Sequence, residues 1–280
     1  EKLAGNKWDG DRDTWPTALE DSEWSRLTTD HGQCTNRHCP NFGQCAFYKA
    51  REVIGKVDVI VTNHDMVLAD LALGGGAFLP DPSDTIYVLD EGHHLPDKAI
   101  SHFANYTRLR STADWLETTA KNLTKFMTLQ PLHVSLDNLI EQVPELAREI
   151  KTQQQFMFRA CEKVSDFRPG EDLDGRDRTC YRFVSGLVPD HMREMGIELK
   201  KGFSRLSDLF TRITDFLKKG MDGEVNIGIS SNQAEEWYPL FGSLLSRSQG
   251  NWEFWDAFTV EDLKDNPPMA RWLTLSASGS

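Results

Sequence analysis

Hydrophobic positions along this chain follow two different patterns, and the change comes near residue 100. Before it they form short β-branched runs. Val57-Asp58-Val59-Ile60-Val61-Thr62 and Ile86-Tyr87-Val88-Leu89 have the length and composition of buried strands. Between them, Met66 to Leu73 reads as a helix closed by Gly74-Gly75-Gly76, and the turn residues Pro80 to Ser83 lead into the second run. Strand, helix and strand in that order predict a βαβ-like unit, part of a parallel sheet covered on both faces. Upstream, Ala46 to Gly55 reads as a helix ended by its glycine. The stretch from His31 to Gln44 holds Gly, Asn and Pro and predicts a loop. The first thirty residues place Trp8, Trp15 and Trp24 among Asp and Glu without a clean period, which suits loop and short helix.

Beyond residue 100 the spacing is helical. Leu136, Ile140, Val143, Leu146, Ile150, Met157 and Val164 recur every three or four residues, with Pro144 opening or kinking the helix. Leu199, Phe203, Leu206, Phe210, Ile213 and Leu217 alternate steps of four and three. That near-3.5 period predicts a helix lying at a shallow angle along a partner. The 136–164 helix is the most economical partner, in a long antiparallel pair. A polar segment from Ser165 to Asp190, with Arg168, Arg176, Arg178 and Arg182, joins the two. Val225, Ile227 and Ile229 alternate as a short strand, and residues 251–273 set Trp252, Trp255 and Trp272 around a charged helix. The expected fold class is α/β with a large, mainly helical insertion.

Composition narrows the class. With 39% hydrophobic and 26% charged residues and a mean hydropathy of -0.49, the chain has the make-up of a soluble globular protein. No apolar run approaches the roughly 20 residues that span a bilayer, so no membrane partner is expected. Glu1 to Gly5 lack the apolar core of a signal peptide, and the small residues Ser276 to Ser280 read as a linker or cloning remnant. Five cysteines, three of them clustered, fit a reducing, cytoplasmic compartment and metal ligation better than a disulfide scaffold. The net charge of -12 argues against nucleic-acid binding by bulk charge. A local basic groove remains compatible with it, because salt screens distant charges within about 10 Å.

Two motifs carry chemistry. The apolar run Ile86–Leu89 leads straight into Asp90-Glu91-Gly92-His93, which places carboxylates at the end of a strand, where α/β folds bind ligands. In that setting Asp90 would hold Mg²⁺ through water, Glu91 would orient and deprotonate the water attacking a γ-phosphate, and His93 would couple nucleotide state to neighbouring elements. A strand cap and turn is the plain alternative, but D-E-x-H after an apolar strand is more specific than that. The phosphate cradle G-x-x-x-x-G-K-[ST] is absent from these residues, so alone they are not expected to hydrolyse ATP.

The second motif is Cys34, Cys39 and Cys45, spaced C-x4-C-x5-C. His31 or His38 could complete a Cys₃His zinc set. An iron–sulfur cluster wants four thiolates and tolerates more varied spacing, and the spacing leaves both open. His64 suits a hydrogen-bonded structural role as well as a functional one. His93-His94 is a weak metal pair, because sequence neighbours do not share a helix face. The arginines of 165–190 fit a solvated loop. Tyr48, Lys49 and Arg51 are better placed to contact a nucleic-acid strand, since aromatic and basic residues together grip single strands.

Three stretches, taken in order, resemble the iron–sulfur superfamily 2 DNA helicases of the XPD-like group. They are Cys45-Ala46-Phe47-Tyr48-Lys49-Ala50-Arg51 after the cysteine loop, then Val57-Asp58-Val59-Ile60-Val61-Thr62-Asn63-His64, then Tyr87-Val88-Leu89-Asp90-Glu91-Gly92-His93-His94-Leu95. The resemblance implies an ATP-dependent helicase moving 5′ to 3′ on single-stranded DNA in repair and replication. It implies two RecA-like motor domains, the first carrying a [4Fe–4S] domain and a helical Arch. Residues 1–55 would be the C-terminal part of the iron–sulfur domain, 56–100 motor strands with the D-E-x-H box, 101–265 the Arch, and 266–280 a return strand and tail. By motif position Cys34, Cys39 and Cys45 carry over as cluster ligands, with the fourth ligand outside this chain. Asp90, Glu91 and His93 carry over as the Mg²⁺-ATP and catalytic residues. The family's first cluster cysteine, its P-loop and its second motor domain are missing here, so activity is expected of the intact protein and not of this piece. The implied partners are single-stranded and forked DNA and single-strand-binding protein, with the enzyme a monomer. The competing expectation is a zinc-stabilised helical module that binds nucleic acid or protein without catalysis.

Overall fold

A computed structural model describes residues 8, 10–24, 27–30, 32–129, 134–165, 180–223, 229–261 and 269–275. The chain divides into two compact units, Glu1–Ala104 and Asn105–Ser280, close to where the hydrophobic pattern changes.

The first unit is built from short helices: α1 (Asp21–Trp24), α2 (Ala46–Ile54), α3 (His64–Ala72) and α4 (Leu95–Phe103). Single 3₁₀ turns lie between them, at Asn36–His38, Phe42–Gln44, Pro82–Asp84 and Gly92–His94. Helix α3 starts where Asn63 caps it, its side-chain oxygen accepting the Met66 N–H at 2.8 Å. Lys98 of α4 pairs with Asp65 of α3 at 2.8 Å. After α3 the chain turns sharply, with Gly74, Gly75 and Gly76 all at positive φ. At Gly75 (φ +82) a Cβ would stand 2.4 Å from Pro82 Cγ, so the turn admits only glycine.

The two apolar runs predicted as buried strands are a correction. Among the described residues of this unit neither forms a strand, and their side chains are exposed, Val61 by 94% and Ile86 by 92%. A parallel strand is held by ladders to neighbouring strands and covered by helices on both faces. No neighbouring strand is present among the described residues here, so nothing pairs with these backbones.

The second unit is helical: α5 (Leu109–Leu129), α6 (Val134–Ile140), α7 (Val143–Val164), α8 (Asp190–Met221) and α9 (Ser231–Thr259). A small antiparallel ladder joins β1 (Cys180–Arg182) to β2 (Trp272–Thr274), with Tyr181 opposite Leu273. The expected return strand is therefore β2, and it pairs within the helical unit. Pro144 opens α7 rather than kinking it, because a first-turn residue needs no intrahelical N–H partner. The stripe Leu199, Phe203, Leu206, Phe210, Ile213 and Leu217 is fully buried.

The predicted partner of that stripe is only partly right. Helix α8 does pack on α7, but its main neighbour is α9, while α7 lies mainly against α5. Two glycines permit both approaches. A Cβ at Gly196 would stand 2.8 Å from Thr259 Cγ2 of α9, and one at Gly202 would stand 2.8 Å from Ile150 Cγ1 of α7. Helix α9 begins with a capping box in which Ser230 and Gln233 bond each other's backbone N–H groups. At its far end the buried Arg271 donates from Nη2 to the carbonyls of Ala257 and Val260 and from Nη1 to that of Gly186, fastening the segment before β2 to the helix. The predicted strand at 225–227 and Arg168, Arg176 and Arg178 lie outside the described residues.

Candidate functional site

The cysteine loop is organised by its two 3₁₀ turns. Cys39 and Cys45 each follow one of them with nearly the same backbone, φ -66, ψ 125 and φ -63, ψ 121. Each donates its N–H to the first residue of its turn, Cys39 to Asn36 at 3.0 Å and Cys45 to Phe42 at 3.1 Å. Phe42 in turn donates to Cys39 O at 3.0 Å, which locks the two turns together. Cys34 enters by donating to Asp30 O at 3.0 Å, and its sulfur accepts the Asn36 N–H at 3.4 Å. Cys45 is also the N-cap of α2, so its sulfur sits at the positive end of that helix dipole. All three thiols are free and half-buried.

Tyr48, in the first turn of α2, closes the loop from the other side. Burial and the sulfurs of Cys34 and Cys45 push its phenol up, and Cys34 is its side-chain hydrogen-bond partner. Its ring lies 4.4 Å from that of Phe42 and 5.3 Å from that of Phe47. Arg51, one turn further, donates to Ala77 O at 2.8 Å and lies over the rings of Phe47 and Phe78. Of the three residues read as a strand-contacting surface, Tyr48 and Arg51 thus have partners within the unit, and Lys49 is exposed.

The donor set distinguishes between metals. A tetrahedral zinc holds thiolates at about 2.3 Å, which puts the sulfurs roughly 3.8 Å apart. Among the described residues the only set of three ligand atoms lying within 4.8 Å of one another is that of Glu91, His93 and His94, so the three sulfurs are more widely spread. A polynuclear cluster receives each thiolate on a different iron and accommodates that spread. His38 is exposed, and His31 lies outside the described residues.

The acidic box lies on an exposed turn. Glu91 has a left-handed backbone, φ 49 and ψ 37, which non-glycine residues adopt only at a cost and often at functional positions. Its N–H donates to Asp90 Oδ1 at 3.1 Å, and His93 Nδ1 lies 3.3 Å from its Oε2. The Gly92–His94 turn is 3₁₀, not α, and the rings of His93 and His94 come within 4.0 Å between centroids. That tighter winding brings together two imidazoles that α-helical geometry would have separated. Asp90, Glu91, His93 and His94 are all exposed, so they offer oxygen and nitrogen donors for a hydrated cation and a water.

One structurally important residue escaped the sequence reading. Asp70 is fully buried and accepts N–H bonds from Gly76 (2.9 Å), Phe78 (2.5 Å) and Leu79 (3.2 Å). Burial alone would raise its carboxyl, but the N–H groups of Phe78, Leu79, Gly76 and Ala77 outweigh this and hold it below the usual carboxylate range. An acid inside an apolar helix just before a glycine triplet was the available clue. Nearby, Asp65, Asp97, Lys98, Ser101 and His102 line a shallow cavity of about 410 Å³, and the hydrogen bond from Lys98 lowers the Asp65 carboxyl. His64 is half-buried beside Asp65 at the start of α3.

No family model matches the chain. It is 30% identical over 276 residues to the ATP-dependent DNA helicase DinG of Photobacterium profundum, a match covering 95% of this chain and 37% of that protein. With the protein of the same name from Escherichia coli (strain K12) the identity is 32% over 216 residues, 71% of this chain and 28% of that one. With that of Salmonella typhimurium (strain LT2) it reaches 47% over 97 residues, 35% of this chain. Over nearly its whole length the chain is therefore a relative of the DinG-type ATP-dependent DNA helicases, similar to a segment that makes up about a third of them.

Proposed function

We propose that these residues are the cluster loop, acidic box and helical insertion of an ATP-driven helicase that moves 5′ to 3′ on single-stranded DNA. The observation that carries the reading is the similarity to DinG helicases along 95% of the chain. Residues 1–55 and 56–100 then belong to the iron–sulfur domain and the first RecA-like motor domain, and the five-helix unit is the Arch. The exposed apolar runs 57–62 and 86–89 are strands whose sheet neighbours lie in the remainder of the protein.

Within the motor, Asp90 holds the hydrated Mg²⁺ of ATP, and Glu91 orients and deprotonates the attacking water. His93, within reach of the Glu91 carboxylate, couples that carboxylate to the moving elements. The phosphate cradle comes from outside these residues, so the isolated segment does not turn over ATP. Cys34, Cys39 and Cys45 hold three corners of a [4Fe–4S] cluster, with a fourth thiolate from outside the segment. When bound, the cluster supplies a cross-link for the loop and a one-electron redox centre. The substrates are single-stranded and forked DNA. Single-strand-binding protein as a partner, a monomeric state and a cytoplasmic setting complete the reading. No described helix is long and apolar enough to cross a membrane.

The direct test is Glu91→Gln in the full-length protein. ATP binding should persist, while DNA-stimulated hydrolysis and unwinding fall by roughly a hundredfold or more, the scale of a lost general base. Turnover within a few-fold of wild type would remove Glu91 from its assigned role.

A further inference from the structure

We propose that Tyr48 is a positioning residue for the cysteine loop, its hydroxyl donating to the Cys34 sulfur and raising the reduction potential of the cluster held there. The inference rests on the iron–sulfur reading above. Its basis is the placement of Tyr48. Helix α2 starts at Cys45, and Tyr48 follows within its first turn. Helical side chains lean toward the N-terminus, so the ring is carried back over the cysteine loop.

Phe42, from the turn between Cys39 and Cys45, and Phe47 pack on that ring and fix its direction. The hydroxyl then meets the sulfur of Cys34, at the opposite end of the loop from Cys45. One side chain thereby ties the first cysteine of the run to the helix that begins at the last. Cys34 also accepts the Asn36 N–H, so its sulfur has two donors.

A donor at a ligating sulfur withdraws electron density. The reduced cluster carries one more negative charge than the oxidised one and gains more from that bond, so the bond raises the potential. Tyr48→Phe deletes the hydroxyl and keeps the ring in its aromatic packing.

The experiment compares wild-type and Tyr48→Phe full-length protein, purified anaerobically and titrated with dithionite while the reduced cluster is followed by electron paramagnetic resonance. The expected result is equal iron and sulfide content with a potential lowered by roughly threefold to tenfold in the one-electron reduction constant, tenfold being 59 mV. An unchanged or higher potential at equal loading overturns the proposal. If the variant is purified unloaded, reconstitution with iron and sulfide allows the same comparison. A variant that still takes up no cluster assigns Tyr48 to folding the loop and also overturns the proposal. Wild-type protein without iron is a different outcome, because it refutes the cluster reading itself.

Discussion

Glu91 and Asp70 show how differently two carboxylates can be used within one unit. Glu91 stands exposed on a left-handed backbone beside an imidazole, available to a ligand. Asp70 is buried and spent on three backbone N–H groups. Asp70→Asn should therefore leave donors without an acceptor and lower unfolding stability by about 2 kcal/mol, read by urea denaturation. The pH dependence has a definite sign. Because the folded carboxyl is held low, its contribution is fully present above the ordinary aspartate value of about 3.9 and is lost as pH falls through the lower folded value. Wild type should lose this increment below about pH 4, and Asp70→Asn should not. At this scale the sequence was informative where residue type and spacing alone define a chemistry, as for Cys34, Cys39, Cys45 and Asp90-Glu91. The roles of Asp70 and Tyr48 depend on a loop and a sulfur they meet only after folding, so composition and period do not reveal them.

Among the elements, the helices with a strong stripe were legible and the others were not. The buried residues of α7 and α8 recur at three and four, and both helices form close to where that pattern puts them. Helix α9 holds Pro239 and buries Trp237, Tyr238, Phe241, Leu244, Trp255 and Phe258 among glycines and polar residues, so only its Trp-rich end stands out. Without α9, the main face of α8 is assigned to the wrong partner. The glycine contacts give a test. Gly202→Ala gains about 1 kcal/mol of helix propensity, but its Cβ presses on Ile150 Cγ1 in a packed core, where overpacking costs about 1–3 kcal/mol. A net loss of stability is expected by thermal unfolding, and a gain would mean that α7 and α8 are further apart than described. Between α5 and α7, Glu117 bonds Lys121 at 2.7 Å and Lys151 at 2.6 Å, and these bonds pull its carboxyl down to about 2. The interaction stabilises fully above the ordinary glutamate value of 4.5 and is lost as pH falls toward 2, so Glu117→Gln should flatten the acid limb of helical-unit unfolding followed by circular dichroism. The runs 57–62 and 86–89 have strand composition, but a strand also needs neighbours, and no pattern within a run supplies them.

For the whole molecule, the charge of -12 and the paired cations of the helical unit indicate that any grip on DNA is local. The thiol loop and the acidic box are read as parts of one motor whose remaining parts lie in the rest of the protein. Cys39→Ser in the full-length enzyme should then lose iron and unwinding together, and unwinding retained without iron would separate them. Metal and sulfide analysis of the full-length protein, purified without oxygen, bears on this reading without intermediaries. The expected product is a brown protein with broad visible absorption and about four irons and four sulfides per chain. A colourless protein carrying a single zinc would contradict it.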